Sequence, residues 1–106
     1  MRYGLKDTDI DKINGVFASY REVEEVVLYG SRAKGNFKKG SDIDLTMKGT
    51  NLNLKILNKI SHEIDDLLLP YIVDLSIFNT IENRDLIDHI NRVGIIFYKK
   101  HIKKPI

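Results

Sequence analysis

Apolar residues recur at Ile10, Ile13, Phe17 and Tyr20 in steps of three, four and three, which predicts one helical face over residues 8–20. Asp7 or Thr8 stands where a cap is wanted, and Asp9 and Asp11 suit the positive end of such a helix. The run Val26-Val27-Leu28-Tyr29, closed by Gly30, reads as a strand. Residues 31–34 have room for one helical turn before Gly35, and the polar stretch 36–41 reads as a loop. Over 43–48, Ile43, Leu45 and Met47 alternate with Asp44, Thr46 and Lys48, the pattern of a half-buried strand. Helical spacing returns over 51–69 through Ile56, Leu57, Ile60, Ile64, Leu67 and Leu68, and Pro70 ends it. Residues 71–78 alternate again, with Ile72, Asp74 and Ser76 against Val73, Leu75 and Ile77. A last helix over 83–93 aligns Leu86, Ile87, Ile90 and Val93, with Gly94 as a natural residue beyond its end, and 95–98 forms a fourth short strand. The order α-β-(α)-β-α-β-α-β predicts an α/β or α+β fold, a small mixed sheet of about four strands flanked by helices.

Two places break this pattern. Gly30-Ser31-Arg32-Ala33-Lys34-Gly35 follows a strand, and Ser41-Asp42-Ile43-Asp44-Leu45 opens the next. Asp74 puts a carboxylate inside the apolar run Ile72-Val73-Asp74-Leu75. Asp42 and Asp44 are two apart on a strand and so project from one face, where each raises the pKa of the other unless a cation sits between them. Asp74 on a neighbouring strand would complete an oxygen-rich site of the kind that holds Mg²⁺ together with waters and phosphates. Gly30 lets backbone approach a ligand closely, and a helical turn begun at Ser31 turns free N–H groups toward an anion. The segment is not a Walker loop, because no Gly-Lys-Ser/Thr follows. His62, His89 and His101 lie apart and have no metal-ligand spacing, and Phe78, Phe97, Tyr71 and Tyr98 sit on predicted strands as core residues.

Composition narrows the class. With 106 residues, 42% apolar and 30% charged, the expectation is a single globular domain over 1–106. The absence of cysteine excludes disulfides, iron–sulfur clusters and thiol nucleophiles, and fits a cytoplasmic protein. No apolar run is long enough to span a bilayer, and the polar first eleven residues do not resemble a signal peptide. Lys99, Lys100, Lys103 and Lys104 make a basic tail over about 99–106. With those four of the 17 basic residues set aside, 13 face 15 acidic ones. The body is therefore slightly acidic, and direct binding to nucleic acid is not expected.

Gly30-Ser31-Arg32-Ala33-Lys34-Gly35, six further residues, then Asp42-Ile43-Asp44-Leu45 and a later hydrophobic-Asp-hydrophobic strand resemble the DNA polymerase β-like nucleotidyltransferases. The Gly-Ser-Arg-Ala-x-Gly wording is most similar to the minimal nucleotidyltransferases, small prokaryotic proteins paired as antitoxins with HEPN-domain toxins. The resemblance implies that Gly30 and Ser31, with Arg32 beside them, bind the phosphates of ATP. It implies that Asp42 and Asp44 hold two Mg²⁺ ions, and that Asp74 holds one of them and takes the proton of the acceptor. Arg32, Lys34, Lys38 or Lys39 would neutralise departing pyrophosphate. The implied reaction is transfer of AMP to a hydroxyl of the HEPN partner, tyrosine before serine or threonine. Two alternatives remain at this stage: an inactive antitoxin that masks its partner by contact, and transfer to a small molecule.

Overall fold

The structure, a computed structural model, describes residues 1–101. Four strands form one mixed sheet in the order β3-β2-β1-β4. Along the chain the elements are α1 (Asp7–Ala18), β1 (Glu25–Tyr29), α2 (Ser31–Lys34), β2 (Ile43–Lys48), α3 (Leu54–Asp65), β3 (Val73–Ile77), a 3₁₀ turn (Phe78–Thr80), α4 (Arg84–Val93) and β4 (Ile95–Lys99). β1 pairs antiparallel with both β2 and β4, while β2 and β3 run parallel across the α3 crossover. The fold class expected from the hydrophobic pattern is the one observed.

The period-two pattern divides the sheet into unlike faces. Val26, Leu28, Ile43, Leu45, Met47 and Ile77 share one core with Ile10, Ile13 and Phe17 of α1 and Ile60 and Ile64 of α3. Val27 and Tyr29 point the other way and pack on Ile90 of α4. α1 and α3 thus cover one face, whereas α4 packs on the second face over β1. The polar alternates of β2 and β3, Asp44, Thr46, Asp74 and Ser76, lie on the remainder of that second face. Thr46 is fully buried there and accepts a hydrogen bond from the Ser76 hydroxyl at 2.9 Å.

Several boundaries differ from the sequence expectation, each for a local reason. No side chain caps α1; Lys6 holds the N-cap position, and Asp7 and Asp9 act through charge in the first turn. Asn53 and Asn83 cap α3 and α4, each accepting from the amide three residues on. α3 stops at Asp65 and not near Leu69, because the amides of Leu67 and Leu68 turn back to Ile64 and Asp65 and Leu68 adopts a φ of 54°. That reversal brings β3 alongside β2. Gly94 is not left-handed: its φ is −61°, and it is required because a Cβ would run into the Ile90 carbonyl and the Val27 side chain. Lys99 belongs to β4 and the Lys100 amide donates to Glu24, so the basic tail starts later than expected. Lys103 and Lys104 lie outside the described residues. Among the described residues no helix is long and apolar enough to cross a membrane.

Two glycines give opposite expectations. Gly94→Ala should destabilise by about 1–3 kcal/mol, since the added methyl meets backbone that cannot yield. Gly15→Ala, in mid-α1 with open space around it, should stabilise by about 0.5–1 kcal/mol. Chemical denaturation of both variants checks the pair, and a stabilised Gly94→Ala would contradict the close packing of α4 on β1.

Candidate active site

The parallel register of β2 and β3 pairs Asp44 directly with Asp74, and the antiparallel register of β1 and β2 pairs Asp44 with Tyr29. Asp42 precedes β2 by one residue and is exposed, as is Asp74; Asp44 is half-buried. Three carboxylates therefore gather at one end of the β2–β3 half of the sheet. Their mutual influence appears in protonation. Burial pushes the Asp44 carboxyl above its ordinary value, and the charges of Asp74 and Asp42 push it further. Tyr29 is also raised, first by burial and then by Asp44 and Asp74, while its hydrogen bond to Ser76 acts the other way. Tyr29, Ser76 and Thr46 thus lie on the same face as the carboxylates, with the Ser76 hydroxyl donating to Thr46.

The turn between β1 and α2 closes on this cluster. Gly30 has φ 74° and ψ −155°, a conformation open in practice to glycine alone. The place a Cβ would take is filled by the Asp44 carboxylate. Ser31 opens the single turn of α2, which ends at left-handed Gly35. The structure thus brings together Gly30, Ser31, Asp42, Asp44 and Asp74, five of the six residues singled out from the sequence.

The sixth is differently employed. Arg32 is only 3% exposed. Its Nε and Nη2 both donate to the Ser41 carbonyl, at 3.1 and 2.8 Å, and Nη1 donates to the Tyr3 carbonyl at 2.8 Å. Its guanidinium also stacks near the rings of Phe37 and Tyr71. Arg32 is therefore a strut between the N-terminal turn, α2 and the residue just before Asp42, and the expectation that it neutralises pyrophosphate is corrected. Lys34, Lys38 and Lys39 are exposed.

His89 belongs to the site although its spacing in the sequence signals nothing. From α4 its Nε2 accepts the Gly30 amide at 3.1 Å, and its ring packs edge-on against Tyr29 at 6.2 Å. The available signal was positional: His89 precedes Ile90, the buried residue that fixes α4 on β1.

Among the described residues no three Asp, Glu or His side chains converge tightly enough to enclose a metal ion unaided. The donor set nonetheless fits a hard divalent cation. It consists of carboxylate oxygens, and a bound cation would offset both the burial of Asp44 and its repulsion by Asp74 and Asp42. The fit is to an ion that keeps waters and shares its remaining ligands with a bound phosphate. A groove of about 600 Å³ lined by Tyr20, Lys55, Asn58, Lys59, His62 and Glu63 lies elsewhere, on the α1 and α3 side of the sheet.

The family described as "Polymerase beta, Nucleotidyltransferase" matches residues 11–103. No curated protein matches the chain. Among solved structures, a chain of a toxin–antitoxin complex with AMP-PNP is 18% identical, with 91% of this chain and 75% of that one covered and a TM-score of 0.68. A chain of a complex between a tri-AMPylated HEPN toxin of Shewanella oneidensis and its MNT antitoxin is 15% identical, with coverage of 91% and 74% and a TM-score of 0.67. A chain of the MntA–HepT toxin–antitoxin is 15% identical, with coverage of 90% and 74% and a TM-score of 0.65. At these identities the likeness is one of fold.

Two expectations follow from the geometry. Because the folded state raises the Asp44 pKa, it binds a proton more tightly than the unfolded chain does. The stability contributed by that proton is complete below the ordinary carboxylate value and is lost as pH climbs through the raised one. Asp44→Asn should therefore match or exceed the wild type in metal-free stability at neutral pH, with its advantage shrinking in acid; urea titrations across that window measure it. Arg32→Ala should lose on the order of 3 kcal/mol, because the carbonyls of Tyr3 and Ser41 lose their donor. Arg32→Lys should recover little, since one ammonium does not reproduce the two-armed fork. Denaturation midpoints of the two variants check this.

Proposed function

The chain belongs to the polymerase β nucleotidyltransferase family, and from that membership we propose that it transfers AMP from ATP to a hydroxyl of a partner protein, a HEPN-domain toxin. The observation that carries the reading is the in-register pair Asp44 and Asp74, with Asp42 and the Gly30-Ser31 turn at the same strand ends. Like charges this close weaken the fold unless a ligand uses them. Likeness in fold to toxin–antitoxin chains, one solved with AMP-PNP and one with an AMPylated HEPN toxin, supports both the nucleotide and the partner.

In this reading Gly30 and Ser31 receive the β- and γ-phosphates, the glycine by leaving room and the serine through its hydroxyl. Asp42, Asp44 and Asp74 would hold two Mg²⁺ ions, which supply charge neutralisation at the phosphates and lower the pKa of the attacking hydroxyl. Asp74, exposed at the edge of the sheet, accepts the proton as the acceptor oxygen bonds to the α-phosphorus. The bond from the α-phosphorus to the bridging oxygen breaks in line, and pyrophosphate departs with the electron pair. Tyr29 stands beside Asp44 in the sheet register, on the same face as the carboxylates. In this reading the protein acts in the cytoplasm, where ATP is supplied.

The phosphodiester added to a tyrosine of the toxin brings negative charge, which opposes binding of RNA phosphates at that surface. Incubation with ATP, Mg²⁺ and the HEPN partner should add one or more adenylyl groups to the partner by intact-mass spectrometry. Asp42→Asn and Asp44→Asn should each lower that rate by at least about a hundredfold. Equal neutralisation of the toxin by wild type and both variants, with no change in mass, would show masking by contact instead.

A further inference from the structure

Gly30 is held from two sides. The Asp44 carboxylate occupies the space beside its Cα, and His89 takes its amide proton at 3.1 Å across 59 residues of sequence. The acceptor is Nε2, so the proton of the imidazole resides on Nδ1. The ring is fixed in turn by edge-on packing against Tyr29, at an interplanar angle of 81°. The helix carrying it is fixed on β1 by Ile90, which is 2% exposed and packs with Val27 and Tyr29, and by the close approach of Gly94 to Val27.

This arrangement answers a specific difficulty. Glycine has more backbone conformations open to it than any other residue, and the one used here, φ 74° and ψ −155°, is only one among them. The direction of the peptide that follows Gly30, and so the placement of Ser31, depends on that choice. The contact with Asp44 excludes a side chain but does not select a rotation. The hydrogen bond from the Gly30 amide to His89 fixes the peptide that precedes the glycine, and the Lys34 amide, donating to the Gly30 carbonyl at 3.1 Å, holds the one that follows.

We propose that His89 is a positioning residue for the nucleotide site, an acceptor that holds the Tyr29–Gly30 peptide from which the turn into Ser31 departs. This rests on the reading of the site as a nucleotide site and adds to it a residue on a separate element. Because the Gly30 amide is engaged by His89, it is not a phosphate donor; the glycine serves by its missing Cβ, and its geometry is set from α4. Loss of the acceptor lets the turn populate other conformations, and apparent ATP affinity falls by the fraction of molecules no longer competent. The bound state is unchanged, so the rate at saturating ATP is not affected.

The test uses two substitutions that separate acceptor from bulk. His89→Leu keeps apolar volume without an acceptor, and His89→Gln offers an amide oxygen without a ring. With ATP and Mg²⁺ as the probe in calorimetry, His89→Leu should bind about tenfold more weakly and His89→Gln within about twofold of the wild type. Transfer rates at saturating ATP should agree within about twofold for all three. Wild-type affinity in His89→Leu, an equal loss in both variants, or a fall confined to the saturated rate overturns the proposal. A reading that does not depend on the variants folding is hydrogen exchange at the Gly30 amide of the wild type without nucleotide. It should be strongly slowed, and exchange at the rate of an open turn overturns the contact. A wild type that binds no ATP while its Gly30 amide stays protected refutes the nucleotide reading and the role built on it, but not the contact.

Discussion

Two carboxylates in register on adjacent parallel strands, with a third two residues upstream, are an arrangement that folding alone does not favour. Asp44 is half-buried, and neither its burial nor its neighbours favour its charge. The sheet tolerates this because only one of its faces is a complete core. α1 and α3 close that face with an uninterrupted apolar set, and this core carries the fold against the repulsion on the other side. On the second face α4 packs over β1 and the 3₁₀ turn lies against β2, and the acidic residues are found at the other end of β2 and β3. Stability and chemistry are thus assigned to opposite sides of the same two strands, one residue apart in sequence.

The loops entering this acidic end are restrained by contacts that are not themselves chemical. Arg32, buried and bonded to the carbonyls of Ser41 and Tyr3, anchors the residue ahead of Asp42 and ties the first turn of the chain to α2. A guanidinium suits this because its fork reaches two carbonyls at fixed angles while its flat faces rest on Phe37 and Tyr71. A motif in which glycine, serine and arginine adjoin thus separates into three kinds of work. Gly30 leaves space for Asp44, Ser31 begins the turn of α2, and Arg32 braces the scaffold.

Much of this was legible in the sequence, because the signals were periodic or local. The alternation over 43–48 and 71–78 put the apolar sets of both strands on the core face and the acidic residues on the other. The order of elements implied the mixed sheet. What was not legible depended on non-local contact. Nothing near Arg32 in sequence indicates that Tyr3 will be its partner, so a basic residue in a glycine-rich turn read as a ligand for phosphate. His89 has no spacing relation to Gly30, and only the docking of α4 on β1 joins them. The end of α3 was misjudged because Leu67 and Leu68 continue the helical spacing while the chain is already turning toward β3. Gly94 has the composition of a left-handed cap, but its reason for being glycine is a collision with Val27, again a tertiary matter.

The openness of the site bears on what the acceptor must be. Asp42 and Asp74 are exposed, and Asp74 stands on an edge strand whose outer side pairs with nothing among the described residues. A small hydroxyl compound meeting such an edge would find few groups to fix its angle of approach, and orientation is a large part of what an in-line displacement requires. A protein acceptor brings its own orienting surface. Its hydroxyl is presented by a scaffold that contacts the rim around the carboxylates, so the restraint absent from one chain is supplied by the other. In the proposed transfer the nucleotide is positioned from within, by the turn at Gly30 and the strand ends, and the acceptor from without. Under the proposed function, specificity for the acceptor belongs to the shape of the interface more than to any residue at the carboxylates, and the acidic half-sheet can stay as spare as it is.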